Sequence, residues 1–247
     1  MNILVIGESC KDVYCYGESN RMCPEAPVPV FNPVDLISSP GMAMNVKRNI
    51  ECLGIDVTIL TNDNWEQVSK TRFVDHRTNY MFMRLDENDY CCPQIENIEN
   101  INYSQYDAVI ISDYDKGFLS REQINFIGKQ SSCVFLDTKK ILGDWCNTVD
   151  FIKINEFEYK KSKHVIDHKI ENFKSKLIIT LGSRGCMYRD KTYPVSKVEI
   201  KDLSGAGDTF ISGLVVEYVA TRDIDLSIQF ANQCATKVVQ KRGVSTV

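Results

Sequence analysis

The stretch Asp202-Leu203-Ser204-Gly205-Ala206-Gly207-Asp208-Thr209-Phe210 holds the densest chemistry in the chain. Its two glycines permit a tight turn with exposed backbone, and the apolar residues after it (Phe210, Ile211, Leu214, Val215, Tyr218 and Val219) recur at helical spacing. The glycines therefore open a helix. First-turn amides have no partner inside a helix, and with the macrodipole they favour an anion. An acid, Asp208, stands at that anion site. A carboxylate beside a bound phosphate is repelled unless a metal or a proton in transfer compensates it, so its presence suggests a working base. A solvated helix start with a dipole-favoured Asp fits the same residues, and the local pattern leaves both readings open.

Other polar residues stand where a parallel strand would end. Asp12 follows the apolar run Ile3-Leu4-Val5-Ile6, in a polar-aromatic stretch read as a loop, and is a candidate for holding hydroxyl groups or an ordinary exposed Asp. Gly41 precedes a helical pattern at Met42, Val46, Ile50 and Leu53, which puts Asn45 on the first turn, within reach of a sugar hydroxyl or merely tolerated there. Asn155-Glu156-Phe157-Glu158 offers a carboxylate that hydrated Mg²⁺ accepts, or a first-turn helix acid. Thr180-Leu181-Gly182-Ser183-Arg184-Gly185 is a glycine turn that admits either a nucleotide or a hairpin into Cys186-Met187-Tyr188.

The elements that must position these residues are visible as well. Ala108–Ile111, Cys133–Leu136, Phe151–Ile154 and Leu177–Thr180 are apolar runs without alternation, and a helical stretch at Ser120–Gln130 separates the first two. Such runs indicate a mostly parallel sheet with helices on both faces, its polar strand ends sharing one rim. Pro24, Pro27, Pro29 and Pro33 punctuate a ribbon that belongs at an edge, outside the main sheet, as a small β lid. The lid strands are expected at about 13–38 and 72–86 of a single domain over residues 1–247.

Composition sets the outer bounds. With 43% hydrophobic and 25% charged residues the chain is of ordinary globular type, and no apolar run reaches membrane-spanning length. Ile3–Ile6 is too short for a signal-peptide core, so the expected place is the cytoplasm. A net charge of −4 offers no global attraction to nucleic acid or an anionic membrane. The ten cysteines have no C-x-x-C spacing and only three histidines accompany them, which argues against zinc. Several, including Cys52, Cys133, Cys186 and Cys234, sit in apolar patterns as small reduced hydrophobes. Walker A, G-x-G-x-x-G and G-x-S-x-G sequences are absent, so phosphate must be handled another way.

Taken in order, these pieces resemble the ribokinase-like (PfkB) family of sugar kinases, with Gly205-Ala206-Gly207-Asp208 as the most specific motif. More narrowly, Tyr14-Cys15-Tyr16-Gly17, Pro24-Glu25-Ala26-Pro27-Val28-Pro29-Val30, Arg84-Leu85-Asp86, Ser112-Asp113-Tyr114-Asp115-Lys116-Gly117 and Gly243-Val244-Ser245-Thr246-Val247 are similar to the kinase domain of bifunctional heptose-phosphate kinase/adenylyltransferases. The resemblance implies an ATP- and Mg²⁺-dependent kinase acting on the anomeric hydroxyl of a heptose 7-phosphate, with room for a monovalent cation and a homodimer through the lid. It implies Asp208 as base and the amides of Gly205, Ala206 and Gly207 as anion hole. Asp12, Gly41 and Asn45 would hold the sugar, and Arg84, or Arg72, its phosphate. Asn155 and Glu158 would organise Mg²⁺ through water, with Lys139 on phosphate. Thr180, Gly182, Gly185, Asn232 and Gly243 would border the nucleotide. Two departures stand out: Met42 follows Gly41 where the family has a second glycine, and the segment from Thr61 to Lys70 is short.

Overall fold

A computed structural model describes residues 1–89 and 92–247. In chain order the elements are β1 (Ile3–Gly7), β2 (Ser9–Glu18), β3 (Asn32–Met42), α1 (Ala43–Cys52), β4 (Val57–Leu60), β5 (Ser69–Asp75), β6 (Met81–Glu87), β7 (Ala108–Asp113), α2 (Arg121–Gln130), β8 (Val134–Thr138), β9 (Phe151–Asn155), α3 (Glu156–His168), α4 (Ile170–Phe173), β10 (Leu177–Thr180), β11 (Cys186–Tyr188), β12 (Lys191–Tyr193), α5 (Ala206–Thr221) and α6 (Ile224–Val238). Eight strands form one sheet in the order β12-β11-β10-β9-β8-β7-β1-β4, parallel from β10 to β4 and antiparallel at β11 and β12.

Both faces of this sheet are covered, which is why its strands read as continuous apolar runs. On one face Leu4, Ile6, Val109, Ile111, Leu136 and Ile152 pack with Ile124 and Ile127 of α2 and Ile166 of α3. On the other, Ile3, Val5, Ile110 and Phe135 pack with Val46 and Ile50 of α1, Ile211 and Leu214 of α5, and Ile228 and Ala231 of α6. Alternate residues of one strand thus feed two cores, as a period of 2 requires. The helix over Arg121–Gln130 starts at Ser120 by a capping box with Gln123, in which each side chain takes the other's backbone N–H.

The second sheet has the order β3-β2-β5-β6. Proline-bearing β3 is its edge, where a missing N–H does least harm. The stretch Lys11–Gly17, read as a loop leaving β1 although lid strand is expected from about 13, is the middle of β2, so the strand begins before Asp12. Its polar residues alternate: Asp12, Tyr14 and Tyr16 share a face with Lys70 and Arg72 of β5 by register, and Arg72 neutralises Asp12, so a polar strand is stable there. Cys52, expected to be buried, is exposed at the end of α1, and Cys91 lies outside the described residues. No helix among the described residues is long and apolar enough to cross a membrane.

One buried acid ties the two sheets to the central rim. Glu8, between β1 and β2, accepts N–H bonds from Tyr114 (2.8 Å), Lys116 (3.0 Å) and Phe118 (3.3 Å) in the loop after β7. Burial, with Asp113 adding repulsion, pushes its carboxyl above the usual range despite those donors. The loop is thereby fixed with Tyr114 turned toward the start of α5.

Candidate active site

The turn before α5 is closed by Asp202, whose Oδ1 accepts the Ser204 N–H (2.8 Å) and whose Oδ2 accepts the Gly243 N–H (3.2 Å). Gly205 then caps the helix with φ of 78°, a left-handed conformation, and a Cβ there would lie 2.7 Å from Asn45 Nδ2. Glycine is required on both counts. Of the three amides expected as an anion hole, that of Ala206 turns back to the Leu203 carbonyl at 3.3 Å.

Asp208 lies in the first turn of α5 and is buried. Asn45 Nδ2, from α1, donates to its Oδ2 at 2.9 Å, and the Tyr114 hydroxyl, from the loop after β7, donates to its Oδ1 at 2.9 Å. Burial raises the Asp208 carboxyl to about 6, with Asp137 adding to the rise and Asn45, Tyr114 and Lys153 opposing it. A carboxylate so poised is half-ready to take a proton near neutrality. Asn45 is itself held, since Asn49 Nδ2 donates to its backbone carbonyl at 2.9 Å.

Asp12 is buried on the lid strand β2, where Arg72 donates to its Oδ1 at 2.6 Å. A side chain at Gly41 would stand 2.1 Å from Asp12 Oδ2, so the glycine makes space for this carboxylate. Burial pushes the Cys10 thiol up, with Asp12, Asp89 and Asp208 adding to the rise and Lys70 opposing it. The next residue is Met42, with φ 57° and ψ −130°, a backbone region that side chains rarely occupy. Such a conformation costs on the order of 1–3 kcal/mol. Met42 is buried with Cys10 and Val68 against Tyr114, and that packing offsets the strain.

Beyond Asp208 lie two adjoining cavities. One, of ≈ 670 Å³, is walled by Gly205, Ala206, Gly207, Asp208, Tyr114, Asp137, Lys139, Lys153, Asn155, Thr180 and Gly182, among others. The other, of ≈ 550 Å³, shares Thr180, Gly182, Ala206 and Gly207 and adds Gly185 and Asn232, with Val195, Val198, Ile200 and Phe210 as apolar wall. Their sizes and mixed linings suit the phosphates and the base of a nucleotide. Asn232, which lines the second cavity, donates from Nδ2 to the Tyr193 carbonyl at 3.0 Å.

Glu158 and Asn155 form a capping box at the start of α3: Asn155 N–H meets Glu158 Oε2 at 2.7 Å, and Glu158 N–H meets Asn155 Oδ1 at 2.9 Å. Glu158 Oε1 also takes Lys139 Nζ at 2.5 Å. Lys139 hovers 5.2 Å from the Tyr114 ring centre. Asp137 takes Lys153 on Oδ2 at 2.7 Å, while its buried Oδ1 has no partner among the described residues. An orphaned hard oxygen on a residue that lines this cavity together with Asn155 fits a hydrated Mg²⁺, which needs only one or two carboxylates beside phosphate and water. No cluster of three or more metal-binding side chains occurs among the described residues.

Asp12, Gly41, Asn45, Arg72, Arg84, Glu158 and Gly243, all named from sequence, do not line either cavity. Arg84, on β6, pairs with Asp86 at 2.8 Å on the exposed lid. Gly243 sits at Asp202 and within 3.8 Å (from a built Cβ) of Tyr14. Sequence reasoning passed over Tyr114, Asp137 and Lys153 as site residues; the one signal for the last was a lysine inside the apolar run Phe151-Ile152-Lys153-Ile154.

The model for the pfkB family of carbohydrate kinases matches residues 42–247. This chain belongs to that family. As a pfkB carbohydrate kinase it is a phosphotransferase acting on a sugar hydroxyl, and its strand-end rim is where such chemistry belongs in an open α/β sheet. Among curated relatives, the bifunctional protein HldE of Nitratiruptor sp. is 28% identical across 99% of this chain and 62% of its own length, and that of Coxiella burnetii is 29% identical across 99% and 61%. The chain thus spans about three fifths of the relatives it matches. The alignment with the first runs over 291 positions against 247 residues here, so the relatives carry segments this chain lacks. The fold is ribokinase-like: Thermotoga maritima ribokinase superposes with a TM-score of 0.71 at 16% identity, covering 98% of this chain and 94% of that one. The microbiome-derived acarbose kinase Mak1 gives 0.73 at 13% identity, covering 100% and 95%.

The raised Asp208 carboxyl has two readable consequences with opposite slopes. Turnover under subsaturating substrate is expected to rise with pH through an acid limb near 6 as the base ionises. The folded state binds this proton more tightly than the unfolded chain, with folded value about 6 against 3.8, so the contribution of Asp208 to stability falls as pH rises across that window. A pH–rate profile with no acid limb between pH 5 and 7 (roughly one unit either side of that value) contradicts the assignment.

Proposed function

We propose that the chain is an ATP-dependent kinase that phosphorylates the anomeric hydroxyl of D-glycero-D-manno-heptose 7-phosphate to the 1,7-bisphosphate. The observation that carries the kinase part is the placement of Asp208: buried, with a raised carboxyl, on the wall of the cavity that Gly205, Ala206 and Gly207 also line. The heptose part is supported by the resemblance of Pro24–Val30 and Ser112–Gly117 to heptose-phosphate kinases and by the HldE relatives.

In this reading Asp12, Gly41 and Asn45 orient the sugar, and Asp208 takes the proton of its hydroxyl as the oxygen attacks the terminal phosphorus of ATP. The bond from that phosphorus to ADP breaks, and the amides of Gly205 and Gly207 face the charge that develops, that of Ala206 being bonded to Leu203. Thr180, Gly182 and Gly185 border the nucleotide, and Asn232 faces its base. Asp137, Glu158 and Asn155 would hold Mg²⁺. When bound, the ion neutralises phosphate oxygens. Positioning supplies most of the acceleration, because little covalent chemistry is left to the protein.

A second reading, a kinase for another carbohydrate-like acceptor, is favoured by one observation: Met42 fills space beside Tyr114 and Cys10, on the acceptor side of Asp208. A panel of sugar phosphates, free sugars and nucleosides, scored by ADP release, separates the two. Turnover with the heptose phosphate well above every other acceptor is the expected result. Turnover confined to a hexose or nucleoside sinks the heptose assignment, and nucleotide binding with no turnover on any acceptor leaves a binding protein.

The lid is proposed to pair with a second copy of the chain. Register places Val13, Cys15, Leu36, Phe73, Met83 and Leu85 on its face away from Asp12, and Leu36 (67% exposed) and Met83 (54%) stand open on it. An apolar sheet face of this kind is a liability in a monomer. Sedimentation equilibrium is expected to give twice the chain mass, and a monomer that persists at high concentration would rule the pairing out.

A further inference from the structure

Lys153 is the residue that the proposed reaction has not yet used. It is 3% exposed, in the middle of β9 and between Ile152 and Ile154, where a charge is costly unless it is paired. Register sets it opposite Asp137 of β8, and its ammonium meets Asp137 Oδ2 at 2.7 Å. A purely structural pair would leave neither partner short of bonds, yet Asp137 Oδ1 is buried and unpartnered among the described residues. The ammonium also lies against the first turn of α5: a Cβ built on Gly207 would be 2.9 Å from Lys153 Nζ. Asp137 accepts one of three N–H donors on that nitrogen, and the nitrogen lines the same cavity as Gly205, Gly207 and Asp208.

We propose that Lys153 is a further catalytic residue, donating to the terminal phosphoryl group of the nucleotide beside the amides of α5, with Asp137 positioning its ammonium. The inference rests on the kinase reading but not on the identity of the sugar. As the acceptor oxygen bonds to phosphorus and the bond to ADP breaks, the acceptor's proton goes to Asp208 and Lys153 keeps its own. A fixed cation there matches the charge spread over the phosphoryl oxygens, and it needs no reorganisation because Asp137 already holds it. Lys153 also opposes the rise of the Asp208 carboxyl, as a cation next to both acids must.

The test compares ADP with an ATP analogue whose β and γ phosphorus atoms are joined by nitrogen, at fixed Mg²⁺ and without any sugar. Calorimetric titration is run on the wild-type protein, on Lys153→Met, and on Lys153→Gln, whose neutral amide can still donate to the buried Asp137 carboxylate. A lost charge-assisted hydrogen bond predicts that preference for the analogue over ADP falls about tenfold or more in both variants, with ADP affinity kept within about threefold. Lys153→Arg is expected to regain part of the preference. An unchanged preference in variants that still bind ADP overturns the proposal, as does an equal loss for both nucleotides. A wild-type protein that binds neither nucleotide defeats the kinase reading itself, whereas failure of the heptose assignment leaves this result unmoved.

Discussion

The site depends on keeping one carboxylate, that of Asp208, out of water and still usable. Three parts of the chain meet on it: α5 supplies the acid and the dipole of its first turn, α1 supplies Asn45, and the loop after β7 supplies Tyr114. Each donor lowers the cost of the buried charge, and burial still wins, leaving the carboxyl at about 6. That balance is the functional quantity. A fully solvated Asp would be too weak a base, and one buried without donors would stay protonated at neutral pH. The fold's less obvious features serve the same end: Glu8 gathers three amides to fix the Tyr114 loop, and Gly205 gives up its side chain so that Asn45 can approach.

Around this acid the rim carries matched charges. Lys139 pairs with Glu158, Lys153 with Asp137, and Lys140 with Asp113, so these three cations each arrive with a carboxylate. Removing one partner of a buried pair costs roughly 3–5 kcal/mol, which holds these groups in place before any ligand enters. Phosphate binding at such a rim draws on ammonium groups already oriented and leaves the net charge of the chain low. The lid extends the same logic, since Arg72 reaches from β5 to fix the buried carboxylate of Asp12.

Much of the fold was legible because burial on two faces leaves a plain mark. The apolar runs at Ala108–Ile111 and Leu177–Thr180 are strands of the parallel sheet, Ser120 caps the expected helix, and the helix opened by the glycines begins at Ala206. What escaped depended on partners distant in sequence. Lys11–Gly17 looks like a loop until Arg72, sixty residues on, neutralises Asp12 and lets it be buried in a strand. Tyr114 and Lys153 gain meaning only from their meeting with α5, which no spacing announces. The glycine motif by itself left a helix cap and a phosphate site equally open. Two adjoining cavities and the donors on Asp208 are what support the phosphate reading, which is proposed on that ground. Met42 is the reverse case, a departure visible in sequence whose consequence, a side chain held in a glycine-like backbone, appears only in three dimensions.

The central claim, that Asp208 is the base and not a structural acid, is tested most directly by Asp208→Asn. Asparagine keeps the size of the side chain and can still pair with Asn45 and Tyr114, so the nucleotide cavities stay intact. The account predicts ATP affinity within about twofold of wild type and kcat lower by on the order of 10²-fold or more, the loss expected when general-base help is removed. Full turnover in that variant would contradict it.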